Sequence, residues 1–198
     1  MKKYIAEALG TFALTLVVGF SLRSVLPVPT PVLAGLTLAL FVYSIGHISG
    51  SHINPAVTIG AWAIKKIKTD EAIKYIIAQL LGGWFALVVA SSFAGKLPLF
   101  MASNSVTTLL AEAVGMFFFA FGIASVVYGK NHEAVSGVVV GGSLLLGIMI
   151  AVGMGSLGIL NPAVSIGLGA FNLMYILGPI VGSVAGMRVY STLMQKST

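Results

Sequence analysis

Two stretches of this sequence are so long and so free of charge that only a membrane-embedded fold can hold them. Residues 24–64 and 134–187 contain no Asp, Glu, Lys or Arg, and each is far longer than the roughly 20 apolar residues of one membrane crossing. Each stretch must therefore contain more than one membrane segment. Charged residues make up 8% of the chain, against about 25% in soluble domains, so a soluble fold is excluded.

Hydrophobic runs divide the chain into six segments that can cross a bilayer and two that cannot. Two apolar pieces, 54–64 and 161–171, would each reach about 16 Å as a helix, whereas the hydrocarbon core is about 30 Å thick. We predict that these two are re-entrant half-helices that end near the midplane. The predicted transmembrane helices are 4–22, 32–48, 72–94, 106–128, 134–153 and 174–194.

The two halves of the sequence repeat each other. Residues 6–12, which read Ala-Glu-Ala-Leu-Gly-Thr-Phe, recur in residues 111–117 as Ala-Glu-Ala-Val-Gly-Met-Phe. Residues 54–60, which read Asn-Pro-Ala-Val-Thr-Ile-Gly, recur in residues 161–167 with Ser in place of Thr. Each half has three spans, and because three is an odd number, the second copy enters the membrane from the opposite face.

The predicted fold class is an all-α membrane protein with six transmembrane helices and two re-entrant half-helices in two inverted repeats. We expect a single domain over residues 1–198, with repeat 1 at about 1–97 and repeat 2 at about 104–198. Short segments at matching positions of inverted repeats indicate a site at the midplane.

Basic residues predict the orientation in the membrane. The net charge is +6, but the basic residues are scattered at the ends of apolar runs, which is typical of topology signals and not of a nucleic-acid interface. Most fall on one side, which the positive-inside rule makes cytoplasmic, so both termini are expected in the cytoplasm and the protein in the plasma membrane. The residues on that side are Lys2, Lys3, Lys65, Lys66, Lys68, Lys74, Lys130, Arg188 and Lys196, whereas Arg23 and Lys96 fall on the other.

Each repeated Asn-Pro pair predicts the start of a half-helix. Asn is a preferred N-cap, and Pro at the next position has a preset φ and lacks an N–H that would have no partner there. Helices starting at Asn54 and Asn161 would meet at the midplane, each with about half a positive charge. The predicted midplane residues are Asn54, Pro55, Ala56, Asn161, Pro162 and Ala163.

The two Asn side chains suggest how a central site would work. When the side-chain oxygen caps its own helix, the NH2 group is free to donate into a lumen. A water molecule that accepts from both Asn residues turns its hydrogens away from the centre, which interrupts proton hopping, while the two helix dipoles repel cations.

At these residues the sequence resembles the aquaporin family of major intrinsic proteins. The resemblance rests on residues 46–58, which read Gly-His-Ile-Ser-Gly-Ser-His-Ile-Asn-Pro-Ala-Val-Thr, and on the second Asn-Pro-Ala at 161–163. It covers essentially the whole chain. It implies a homotetramer in the lipid membrane, each protomer having its own pore for water or small neutral solutes, with His52 and Val57 lining the pore on the cytoplasmic side.

The sequence departs from that family at the narrow outer filter. Ala34 stands where an aromatic residue is usual and Val164 where Arg is usual; the fifth-span position is Ile148 or Met149, and the fourth is Gly158. We therefore expect a wider and more apolar filter, suited to glycerol, urea, ammonia or metalloid hydroxides as well as water.

Glu7 and Glu112 are ionisable groups inside spans, which by default suggest an ion or proton site. Their equivalence in the repeats favours a structural role, in which each carboxylate accepts backbone N–H bonds from an irregular loop at membrane depth. For His52, pore lining is favoured over a metal site or a pH switch.

Three functions remain open from the sequence. A passive channel is favoured by the paired Asn donors, a coupled secondary transporter also uses inverted repeats with broken helices, and a non-conducting structural tetramer is the third. No hydrolytic triad, phosphate-binding loop or metal cluster is visible, and the chain has no cysteine. We expect neither an enzyme nor a cofactor.

Overall fold

Eight α-helices form the part of the chain that the structure, a computed structural model, describes: residues 1–23, 26–94, 104–129 and 133–194. Lys96, Lys130 and Lys196, which the orientation argument used, lie outside these residues. The helices are α1 (Lys2–Leu22), α2 (Thr30–Ser49), α3 (Pro55–Ala63), α4 (Thr69–Ala94), α5 (Val106–Tyr128), α6 (Ser136–Gly153), α7 (Pro162–Gly167) and α8 (Met174–Met194).

Six of these helices are long and apolar enough to span a membrane, as the hydrophobic runs predict. Small differences occur at their ends. α4 starts at Thr69, three residues earlier than predicted, because its polar first turn contains Asp70 and Glu71. α6 starts at Ser136, because residues Glu133–Val135 form a short 3-10 helix.

The two half-helices begin where the Asn-Pro pairs predict, but the second is shorter than expected. α3 has nine residues, whereas α7 has six and ends at Gly167. The prediction of a helix to residue 171 was wrong, because Gly169 adopts a left-handed conformation with φ of 66°. The Ser165 hydroxyl then donates to the Ala170 carbonyl, which uses a backbone acceptor beyond the helix.

Contacts between helices follow the repeat and join its halves. α1 packs on α4, and the equivalent α5 packs on α8. The half-helices cross between repeats, since α3 contacts α8 and α7 contacts α4. α2 and α6, which are equivalent to each other, are also in contact, so the centre of the molecule is built from both repeats.

Glycines allow the closest of these crossings. A Cβ atom on Gly82 of α4 would overlap the Ala8 carbonyl of α1, and one on the equivalent Gly182 of α8 would overlap the Ala113 carbonyl of α5. Small residues are common where membrane helices approach this closely. These two pairs of helices therefore depend on glycine at the crossing point.

Gly182→Ala should destabilise the protein, because the added methyl group meets backbone that can move only with its helix. Overpacking of this kind costs about 1–3 kcal/mol. Gly142→Ala is the matched control, since Gly142 also lies inside a span, in α6, but has open space around its Cα. Thermal unfolding in detergent should give a lower midpoint for Gly182→Ala and an unchanged or higher one for Gly142→Ala. Equal midpoints for the two variants would contradict the crossing.

Candidate functional site

The two half-helices meet head to head in the centre of the protein, where Asn54 and Asn161 cap them. Asn54 Oδ1 accepts a hydrogen bond from Ala56 N at 2.8 Å, and Asn161 Oδ1 accepts one from Ala163 N at 3.0 Å. Both Asn residues have extended backbone and both are followed by proline. The caps thus fix the two amide groups side by side, with their NH2 groups pointing away from their own helices.

The two amide groups also hold the repeats together. Asn54 Nδ2 donates to the Leu160 carbonyl at 2.9 Å, and Asn161 Nδ2 donates to the Ile53 carbonyl at 3.0 Å. The expectation that each whole NH2 group is free was wrong, because one of its two hydrogens is used in this reciprocal bond. One N–H per Asn remains to donate elsewhere.

Glu7 supports the loop that leads into α3. Its carboxylate is fully buried and accepts four hydrogen bonds. The donors are Ser49 Oγ at 2.7 Å, His52 N at 3.0 Å, Ile53 N at 2.6 Å and Gln79 Nε2 at 2.8 Å. The carboxylate therefore provides partners for backbone N–H groups that no helix or sheet satisfies.

Glu112 does the same for the loop that leads into α7. It is also fully buried, and it accepts bonds from the Ser156 hydroxyl, from Ile159 N at 3.0 Å and from Leu160 N at 2.7 Å. Since all the acceptor oxygens of Glu7 and Glu112 are engaged by protein donors, neither carboxylate presents itself to a lumen.

The residues just before each Asn are strained. Ile53 has φ of 39° and Leu160 has φ of 52°, which is unusual for bulky side chains and costs of order 1–3 kcal/mol each. Each gives its N–H to a glutamate and its carbonyl to the Asn of the other repeat. These two bonds hold the strained conformation in place.

An outer cavity of about 250 Å³ lies on one side of the paired Asn residues. Its wall is mainly apolar, and the polar side chains on it are Thr30, His52 and the two Asn residues. The structure brings six predicted filter and midplane residues together on this wall: Ala34, Asn54, Ile148, Gly158, Asn161 and Val164.

The fifth-span position is occupied by Ile148 and not by Met149. Ile148 is 6% exposed and lines the outer cavity, whereas Met149 is 57% exposed on the outside of the protein and lines neither cavity. Adjacent residues on a helix point about 100° apart, so only one of the two can face the centre. The alternative prediction, that Met149 occupies the fifth-span filter position, was therefore wrong.

The four small midplane residues lie behind the Asn side chains. Pro55, Ala56, Pro162 and Ala163 are buried and line neither the outer nor the inner cavity. Their contribution is to the helix starts, because they occupy the first turn of α3 and α7.

An inner cavity of about 270 Å³ lies toward the other face. Val57 lines it, as does Lys66, whose ammonium group lies 4.2 Å from the centre of the Tyr128 ring. Ser51 also lines it, and its buried hydroxyl has no hydrogen-bond partner among the described residues. Lys66 thus gives the inner cavity a lysine side chain, which the outer cavity lacks among the described residues.

His52 lines both cavities. Its Nδ1 shares a hydrogen bond of 3.1 Å with Thr58 Oγ1, and its ring packs edge-on against Tyr75 with centroids 5.3 Å apart. The described residues contain no group of three His, Cys, Asp or Glu side chains that could hold a metal ion. The ring is thus held by protein contacts on two sides.

Sequence reasoning missed Phe119 and Leu38 as lining residues. Phe119 is 2% exposed and lines both cavities, as does Leu38. A signal was present in the repeat: Phe119 lies two turns after Glu112, on the same helix face. Leu14, at the same place after Glu7, also lines the outer cavity.

Comparisons with known proteins agree with this geometry. The family model described as "Major intrinsic protein" matches residues 1–190. Aquaporin AqpM of Methanothermobacter thermautotrophicus is 32% identical over 80% of this chain and 74% of its own length. Nodulin-26 of Glycine max is 32% identical over 96% and 77%, and glycerol uptake facilitator protein-like 6 of Lactiplantibacillus plantarum is 34% identical over 93% and 94%.

A solved structure supports the fold. The X-ray structure of the aquaglyceroporin from Plasmodium falciparum superposes with a TM-score of 0.77 at 24% sequence identity, and the match covers 99% of this chain and 96% of that one. Six spans with two re-entrant half-helices therefore describe this chain.

Glu112→Gln should destabilise the protein, because the amide replaces one acceptor oxygen by a donor that faces backbone N–H groups. Each buried donor left without a partner costs about 1–3 kcal/mol. Asp70→Asn is the matched control, since the Asp70 side chain is 72% exposed. Thermal unfolding in detergent should give a clearly lower midpoint temperature for Glu112→Gln and an almost unchanged one for Asp70→Asn. A midpoint for Glu112→Gln equal to that of the control would mean that Glu112 does not support the loop.

Proposed function

Because the chain belongs to the major intrinsic protein family, we propose that its two cavities form a passive pore for water and small uncharged solutes. The observation that carries this proposal is the pair of Asn amides at the centre, which line the outer cavity, together with an inner cavity of similar size that shares wall residues with it. The family consists of channels and not of enzymes, and relatives named aquaporin and glycerol uptake facilitator are in agreement.

The midplane would exclude protons through its two remaining donors. After the reciprocal bonds, Asn54 and Asn161 each keep one N–H, and both residues line the outer cavity. A water oxygen that accepts both must turn its hydrogens away, so the chain of donors and acceptors is interrupted. The N-terminus of α3 adds a positive potential that repels cations, and the shorter α7 adds less.

The outer cavity would admit solutes larger than water. Ala34 stands where an aromatic residue is usual in the family, Val164 stands where Arg is usual, and Gly158 has no side chain. Within the described residues, no lysine or arginine lines this cavity. Removing an arginine removes five donors and a barrier to cations. Ion exclusion then depends on the cost of stripping water from an ion, which amounts to several kcal/mol. Glycerol, urea, ammonia and metalloid hydroxides are the solutes that fit.

A coupled transporter is the less favoured alternative, because the described cavity walls lack the groups that coupling needs. The buried carboxylates of Glu7 and Glu112 are engaged by protein donors and lie on neither wall. Within the described residues, only His52 and Lys66 are ionisable groups on the two walls. Neither supplies a carboxylate that could bind sodium or relay protons.

We also propose that the protein is a homotetramer in the plasma membrane with both termini in the cytoplasm. Lys3 forms an ion pair with Glu71, so the N-terminus lies at the same end as the basic loop between α3 and α4, and the positive-inside rule makes this end cytoplasmic. Large apolar side chains are exposed on all six spans, and lipid or neighbouring protomers would cover them. Examples are Leu9, Leu40, Trp84, Phe118, Met149 and Val181.

Flux measurements test the channel directly. Proteoliposomes mixed with sucrose in a stopped-flow device should shrink faster than liposomes without protein, as light scattering reports. With glycerol or urea they should shrink and then reswell, because the solute follows the water. The rates of solute flux should rise linearly with solute concentration and should not change when a proton or sodium gradient is applied. Saturating, gradient-dependent flux would indicate a transporter, and no acceleration would indicate a non-conducting protein.

The orientation can be tested by cysteine labelling, because the chain has no native cysteine. Val28→Cys lies in the loop between α1 and α2, and Lys68→Cys lies in the loop between α3 and α4. We expect a membrane-impermeant maleimide to label Val28→Cys in intact cells and Lys68→Cys only after permeabilisation. The reverse pattern would place the termini outside.

Light scattering of the purified protein in detergent gives the number of protomers, and four are expected.

A further inference from the structure

The outer and inner cavities meet at three shared wall residues, Leu38, His52 and Phe119, which we call the inner ring. We propose that the inner ring, and not the outer filter positions, sets the largest solute cross-section that passes. This inference rests on the proposed channel function and assigns its size limit. Phe119 is the specificity-determining residue of the ring.

The side chains themselves differ in bulk between the two places. The outer filter positions are occupied by Ala34, Ile148, Gly158 and Val164, of which one has no side chain and another only a methyl group. The inner ring instead consists of an aromatic ring, an imidazole ring and a leucine. The pore wall therefore becomes bulkier at the point where the two cavities adjoin.

Close contact between helix backbones holds Phe119 in place. One turn before it in α5, Gly115 packs against Gly147 of α6 so closely that a Cβ atom on either would overlap the carbonyl of the other. A Cβ atom on Gly147 would also lie 3.2 Å from the Phe119 Cβ. Phe119 is 2% exposed, and these contacts fix its Cα–Cβ bond relative to α6.

The other two members of the inner ring are also fixed. Leu38 lies one turn after Gly35 of α2, whose backbone crosses Gly141 of α6 in the same close manner. His52 is held by Thr58 Oγ1 and by the Tyr75 ring, and its backbone N–H is bound to Glu7. A rigid ring limits cross-section sharply, because closely packed side chains do not yield to a passing solute.

The chemistry of the inner ring favours thin neutral solutes. The side chains of Leu38 and Phe119 offer no hydrogen bonds, so the polar side chains at which a solute can replace part of its lost hydration here are His52 and the Asn amides. An ion would lose more hydration than these groups restore. A flexible linear polyol can pass end-on, whereas a branched polyol of similar polarity presents its full width.

Two tetraols test this limit in proteoliposomes: erythritol, which is linear, and pentaerythritol, which is branched. The quantity to measure by stopped-flow light scattering is the ratio of pentaerythritol to erythritol permeability. Phe119→Ala should raise this ratio by about tenfold, which corresponds to a barrier lower by about 1.4 kcal/mol. Phe119→Leu should raise it less and provides a milder change if the alanine variant folds poorly.

Two control variants separate the inner ring from its surroundings. Phe118→Ala makes the same truncation at a side chain that is 43% exposed on the outside of α5, and Val164→Ala enlarges the outer filter. Neither should change the ratio. Size-exclusion profiles and the amount of protein incorporated per liposome verify that each variant is folded and inserted.

The outcomes distinguish the two proposals. A raised ratio in the Phe119 variants alone supports the inner ring. A ratio that rises in Val164→Ala but in neither Phe119 variant overturns it and assigns the limit to the outer filter. If the wild type conducts water but no variant changes the permeability ratio, the inner-ring proposal is overturned and the channel function stands. Absence of water flux in the wild type and in the Phe119 variants overturns the channel function, and the inner ring with it.

Discussion

Every buried backbone N–H and C=O needs a partner where water is absent, and this requirement governs the centre of the molecule. Full-length helices meet it internally, but two half-helices leave loops and free ends at membrane depth. Glu7 and Glu112 supply acceptors for the loop N–H groups, and the Asn amides supply donors for the Ile53 and Leu160 carbonyls. A central polar site is thus possible in a chain whose charged fraction is only 8%.

The helix crossings determine how wide that site is. α6 touches α2 at Gly35 and Gly141 and touches α5 at Gly115 and Gly147. Backbones this close cannot slide past each other. The Cα atoms one turn away, those of Leu38 and Phe119, therefore keep a fixed distance from the central site. The glycines that make the bundle compact therefore also determine the bore, although none of these four lines either cavity.

Much of the fold could be predicted from the sequence, because it depends on local signals. Long apolar runs predict the spans, and Asn-Pro pairs predict the helix starts. The position of the fifth-span filter residue could not be decided, because the choice between Ile148 and Met149 depends on helix rotation. The role of Phe119 and the reciprocal Asn bonds depend on contacts between distant segments, which no local pattern records. Gly169, which ends α7 early, acts through a backbone angle and not through hydrophobicity.

The strained residues before the two Asn side chains have a consequence for how the protein is made. Ile53 is held in its conformation partly by an amide of the second half, and Leu160 by an amide of the first. During synthesis the first half enters the membrane before residue 161 exists, so its half-helix has no partner to close against. The Ile53 carbonyl therefore gains its donor only when Asn161 arrives with the second half, so this bond of the central site needs both repeats.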